Sequence, residues 1–157
     1  MIRSQCTPVA AFAAALAFAA GAVRAEDKLP DAARTALEKA DQIDVMSLDP
    51  AGDEKGKDAF HDYKVLSKTT VKDGDARKEI TTALEKGVAE GGPIAKCFEP
   101  RHGLHVVYQD KTYDFLICYQ CSQIQVFSGT AEPATVATSS ASKAALDKAL
   151  KNAGTPK

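Results

Sequence analysis

The chain has none of the short motifs that announce a reaction. Its 157 residues hold no GxSxG, no HExxH, no P-loop and no dinucleotide-binding glycine fingerprint. The familiar routes to a serine hydrolase, a zinc protease, a nucleotidase or a nicotinamide enzyme are therefore missing. No long block of one charge appears either. Lys and Arg number 20 and Asp and Glu 21, a net charge of −1, so a sustained basic face for nucleic acid is not indicated. There is no internal repeat. The longest apolar run, Pro8 to Ala20, is too short to cross a bilayer comfortably, which takes about 20 residues.

That run is the first informative feature. Arg3 precedes it in a short basic start, and Val23 and Ala25 stand at the small-residue positions of a cleavage site before Glu26. This is the layout of a secretory signal peptide over residues 1–25. Cys6 lies before the run and not at the cleavage point, which argues against lipid attachment. The expected mature chain, 26–157, loses Arg3 and Arg24, leaving 18 basic against 21 acidic residues and a net charge of −3. It is long enough to bury a core without help from disulfides. Export to the periplasm or the exterior implies an oxidising setting in which cysteines pair. Three remain, Cys97, Cys118 and Cys121. The number is odd, so one is free, metal-bound or paired outside the chain.

Along the mature chain, Ala33, Leu37 and Ala40 predict a helix over 31–40, opened by Pro30 and Asp31. Residues 42–48 alternate, with Ile43, Val45 and Ser47 on one side and Asp44, Met46 and Leu48 on the other, and read as a strand. A glycine-punctuated charged loop follows. Residues 60–71 return to period two: Tyr63, Val65, Ser67, Thr69 and Val71 are expected to share the packed face, with a lysine-bearing wet face opposite. Ile80, Leu84 and Val88 mark a helix over 76–90, capped by Asp75 and stopped by Gly91-Gly92-Pro93.

Residues 104–109 and 112–118 read as a hairpin. With Asp110-Lys111 as its turn, Tyr108 opposes Tyr113, Val106 opposes Phe115 and Leu104 opposes Ile117, all on one apolar face. Residues 123–127 extend that face as another strand, or else 118–127 form one long strand with a bulge; the sequence leaves both open. Residues 128–142 read as a flexible linker, and 143–153 as a last helix capped by Ser142. The expected fold is α+β: an antiparallel sheet of about five strands with helix 76–90 packed on one face, and short N- and C-terminal helices. A single domain spans 26–127.

Chemistry-bearing residues gather between Cys97 and Cys121. The spacing His102-x2-His105-x12-Cys118-x2-Cys121, with Cys97 just upstream, has the donor types of a zinc site. The four would converge only if residues 101–103 bend, which Gly103 permits. A disulfide from Cys97 to Cys118 or Cys121 is the favoured alternative, ahead of a Cys118–Cys121 bond with a redox role. Glu99, Arg101, His102 and His105 are candidate binding residues, with Arg101 the natural partner of a carboxylate or phosphate. The competing reading pairs Arg101 internally with Asp49 or Asp114. Cys97 with His102 or His105 also fits a nucleophile and base, weakly.

The segments Cys97-Phe98-Glu99-Pro100-Arg101-His102-Gly103 and Cys118-Tyr119-Gln120-Cys121 resemble the motif pair C-F-x-P-R-H-G and C-[FY]-x-C. That pair belongs to an uncharacterised family of small exported bacterial proteins. Ser47-Leu48-Asp49-Pro50 and the stretch from Phe60 to Leu66 are similar to it too. The resemblance covers about 42–127. It implies export and marks Cys97, Pro100, Arg101, His102, Gly103, Cys118 and Cys121 as motif positions. Together these features favour a small exported module that binds an unknown protein or small ligand through the edge near Arg101 and His102, with structural cysteines and no expected cofactor. A zinc protein is the alternative, and a thiol-redox or hydrolytic enzyme the next. No membrane span is expected after cleavage.

Overall fold

The computed structural model describes residues 27–53, 55–57 and 59–152. The signal peptide over 1–25, the start at Glu26 and the helix end at 153 lie outside the described residues. Among those described, no helix is long and apolar enough to cross a membrane.

Among the described residues the fold is α+β, with three helices and one antiparallel sheet curled into a half-barrel. The elements are α1 (Asp31–Lys39), β1 (Ile43–Leu48), β2 (Ala59–Phe60), β3 (Tyr63–Val71), α2 (Gly74–Glu90), β4 (His102–Tyr108), β5 (Lys111–Cys118), β6 (Gln123–Ser128), β7 (Ala134–Ala137) and α3 (Lys143–Asn152). Seven strands run in the order β2-β3-β1-β4-β5-β6-β7, where the sequence predicts about five. The two extra strands are the shortest. β2 has 2 residues and β7 has 4, too few for alternation to register as a pattern. β7 lies inside the stretch expected to be a linker, where Val136 is its one fully buried apolar side chain.

One face of the sheet is covered by helices. Ile43, Val45, Leu104, Val106, Phe115, Ile117, Ile124 and Val126 pack there against Leu37, Ile80, Leu84 and Leu146. Each such aliphatic or aromatic side chain, fully buried, contributes about 1.5–3 kcal/mol. The helices follow from their stripes, Ala33-Ala36-Leu37 on α1 and Ile80-Leu84-Val88 on α2. The cap of α2 is Asp73, not Asp75: its carboxylate accepts the Ala76 N–H at 2.9 Å. Ser142 does not serve α3 as a side-chain cap; its hydroxyl bonds the Tyr119 phenol at 2.8 Å.

The β4–β5 hairpin turns at Gln109-Asp110, both at positive φ, the conformation of a tight type I′ turn. Val106 therefore opposes Tyr113 and Leu104 opposes Phe115, two residues away from the expected register. An even shift keeps every side chain on its face, so the predicted core residues of this hairpin are core. β5 and β6 form a second hairpin through residues 119–122, with Ile117 opposite Ile124. The bulged single strand is thereby excluded.

β3 departs from its expected pattern. Ser67 opposes Ser47 but Val65 opposes Leu48, so Leu66 is an extra, unpaired residue, 58% exposed. This bulge reverses the faces. Val71 packs on the helix side, while Val65 and Tyr63 pack on the other side with Met46, Leu48, Leu116, Phe60, Phe98 and Phe127. It also swings the β2–β3 hairpin across the helix-free face. Gly103 serves that crossing. A side chain there would come within 2.9 Å of the Phe60 ring. Gly103 is thus a paired strand residue that admits Phe60, and the bend that a shared ligand set would need is not formed there.

Candidate functional site

Three neighbourhoods hold the candidate residues. On the helix-free face, Thr70, Asp44, His105, Asp114 and Phe127 form one row across five adjacent strands. Thr70 donates to Asp44 at 2.6 Å, and Lys68 pairs with the same carboxylate at 2.8 Å. Burial alone would raise the Asp44 pKa, but the bonds from Lys68 and Thr70 hold it below the usual value. Asp114 accepts one bond on each oxygen, from His105 Nδ1 and from His61 Nε2, both at 2.7 Å. His61 reaches it from the tip of the β2–β3 hairpin and stacks on Phe127, with ring centroids 4.0 Å apart. Beside this row a groove of about 600 Å³ is lined by Met46, Lys57, Ala59, Phe60, Lys64, Val65, Lys68 and His105.

The second neighbourhood is His102, on the opposite face. It is buried beneath α3, where Nε2–H donates to Asp147 Oδ1 at 2.8 Å. Its Nδ1 has no partner among the described residues. A second ring proton would therefore be a buried donor with nothing to bond. Burial lowers the His102 pKa from the ordinary 6.5, against a partial raising by Asp147. Asp147 itself is lowered, chiefly by the Lys143 ammonium.

The third neighbourhood is the sulfur cluster. Cys118 and Cys121, at the two ends of the β5–β6 turn, are disulfide-bonded, with Cα atoms 5.3 Å apart, a separation that a disulfide accommodates. This replaces the favoured Cys97 bridge, because the turn brings the ends of the CxxC together on its own. Cys97 is a free, exposed thiol. Its sulfur lies 2.9 Å from that of Cys121.

The predicted site is thus divided. His102 and His105 occupy opposite faces, and Glu99 is exposed. Arg101 is exposed as well; its main chain bonds Ile117 and Leu48, and its guanidinium has no hydrogen-bond or ion-pair partner among the described residues. Neither expected carboxylate holds it: Asp49 accepts the Ala51 N–H, and Asp114 takes the two imidazoles. Among the described residues, no group of three or more His, Cys, Asp or Glu side chains is placed to hold a metal ion. His61, Asp44, Asp114 and the groove lysines were not singled out as binding residues from the sequence. Alternation alone marks Asp44 as sharing a face with Met46 and Leu48. Nothing local marks His61, whose partner is 53 positions away.

No family model, no curated protein and no solved structure matches the chain.

Proposed function

We propose that this is an exported binding module that takes a small amphipathic anion on the helix-free face of the sheet. One observation carries the reading. The groove sets Lys57, Lys64, Lys68 and His105 around an apolar floor of Met46, Phe60 and Val65. Ligand sites typically combine such an apolar floor with a few convergent polar groups. Asp44 engages Lys68 and Asp114 engages His105, so Lys57 and Lys64 supply the groove's remaining positive charge. His105 belongs to this site. His102 does not, because it is buried under α3. The motif pair and the signal-peptide layout give the module its expected exported setting.

The test is titration of the full chain with anilinonaphthalene sulfonate, an anion with an apolar body. Saturable binding is expected, weakened roughly fivefold to tenfold by Lys64→Glu or Lys57→Glu and weakened by salt. Equal affinity in both variants, with their thermal midpoints unchanged, overturns the reading.

A further inference from the structure

We propose that Cys97, Cys118 and Cys121 form a thiol–disulfide exchange site, in which exposed Cys97 carries a buried disulfide to the surface for reaction with a dithiol. Three observations converge on this. The sulfurs are adjacent, with Cys97 Sγ 2.9 Å from Cys121 Sγ. They differ sharply in access: Cys118 and Cys121 are 1% and 0% exposed, whereas Cys97 is at the surface. Their proximity is also set by hydrogen bonds to main-chain carbonyls and not by any covalent bond to Cys97. Ala95 N–H donates to the Cys121 carbonyl at 3.0 Å, and Gln123 Nε2 donates to the Cys97 carbonyl at 2.7 Å. These bonds lay the loop before β4 along the β5–β6 turn.

The step balances within the chain. Cys97, as thiolate, attacks Cys121 Sγ. A Cys97–Cys121 bond forms, the Cys118–Cys121 bond breaks, and Cys118 leaves as thiolate. The proton given up by Cys97 is matched by one that Cys118 takes up, and there is no net oxidation. The Cys121 N–H already points at Cys118 Sγ, 3.2 Å away, and so steadies the charge that develops on the leaving sulfur. A thiolate of an external dithiol then attacks the exposed Cys97 Sγ, giving a mixed disulfide and releasing Cys121. The second thiol of the dithiol attacks its own sulfur in that mixed disulfide and releases Cys97. The dithiol loses two electrons and two protons, and the protein gains both, ending with three thiols. The direct route is closed because a thiolate must reach a sulfur to attack it, and the resting disulfide is buried.

This site is separate from the groove and stands or falls without it. The experiment uses the oxidised full chain with dithiothreitol as the dithiol and glutathione as a monothiol probe. Reduction of Cys97→Ala is expected to be slower than wild type by at least about tenfold; equal rates overturn the proposal. Cys118→Ala is expected to form the Cys97–Cys121 bond and leave neither of these two thiols alkylatable, Cys6 being counted apart, while alkylation of both Cys97 and Cys121 overturns it. Wild-type protein quenched with acid during glutathione treatment needs no variant to fold. Its adduct is expected on Cys97, and an adduct confined to Cys118 or Cys121 rules the relay out.

Discussion

Phe115 and Asp114 are neighbours on β5 and point to opposite faces of the sheet. Phe115 is fully buried among Leu104, Val106 and Val126 beneath the helices. Asp114 holds two histidines under a single two-stranded hairpin. One face is closed by apolar area, which is non-directional and accumulates with every methylene removed from water. The other carries a smaller apolar cluster around Met46, Leu48 and Leu116 together with a few directional bonds, and a groove stays open beside them. The first face supplies stability. The second keeps an open groove, because its cover is a single small hairpin.

The sharpest way to break this comparison is to truncate one aromatic on each side. Phe115→Ala is expected to cost about 3–5 kcal/mol. Phe127→Ala, on a half-buried ring, should cost about 1–2 kcal/mol. Denaturant unfolding with matched slopes checks both, and equal costs would show that the two faces are equally closed.

A smaller effect is expected where the hairpin crosses the sheet. Gly103→Ala forces the Phe60 ring away and should destabilise by about 1–3 kcal/mol, a cost that Phe60→Ala should largely relieve in the double variant. If the two changes simply add, Phe60 does not rest on Gly103.

The smallest effect is a pH dependence on the helix side. The folded state favours neutral His102, so the unfolded chain takes up a proton at higher pH than the folded chain does. Stability from this group is full above 6.5 and declines as pH falls below that ordinary value, until the folded ring is itself protonated. Asp147, with its pKa lowered from 3.8, adds a separate loss at lower pH still. Urea midpoints across the acid range should flatten just below 6.5 in His102→Gln. An unchanged slope there would assign the dependence to another group.

Much of the helix-covered face was legible because its signals are local. Ile80, Leu84 and Val88 announce α2 without reference to any other segment. Leu104, Val106, Phe115 and Ile117 are core in either register, since an even shift leaves their faces alone. The candidate site was less legible. The run from Cys97 to Cys121 looked like one site because its reactive residues are close in sequence. In the fold, His102 turns under α3 while His105 turns to the hairpin, as an odd separation on one strand requires. The expected face of Tyr63 and Val65 was reversed by one unpaired residue, Leu66, whose bulge leaves no mark in the pattern.

By itself, then, the sequence determined the α+β class, the helix stripes and which side chains of β1, β4 and β5 share a face. These depend on periods of 3.6 and 2 that each segment carries alone. Only the tertiary structure decided that His61 meets Asp114, that Phe60 lies over Gly103, that a seventh strand extends the sheet beyond β6, and that Cys97 stands beside a disulfide it does not share. Each of these depends on the path of the chain between distant segments. That path is set by the summed burial of the whole core and by bulges and turns that bring those segments together.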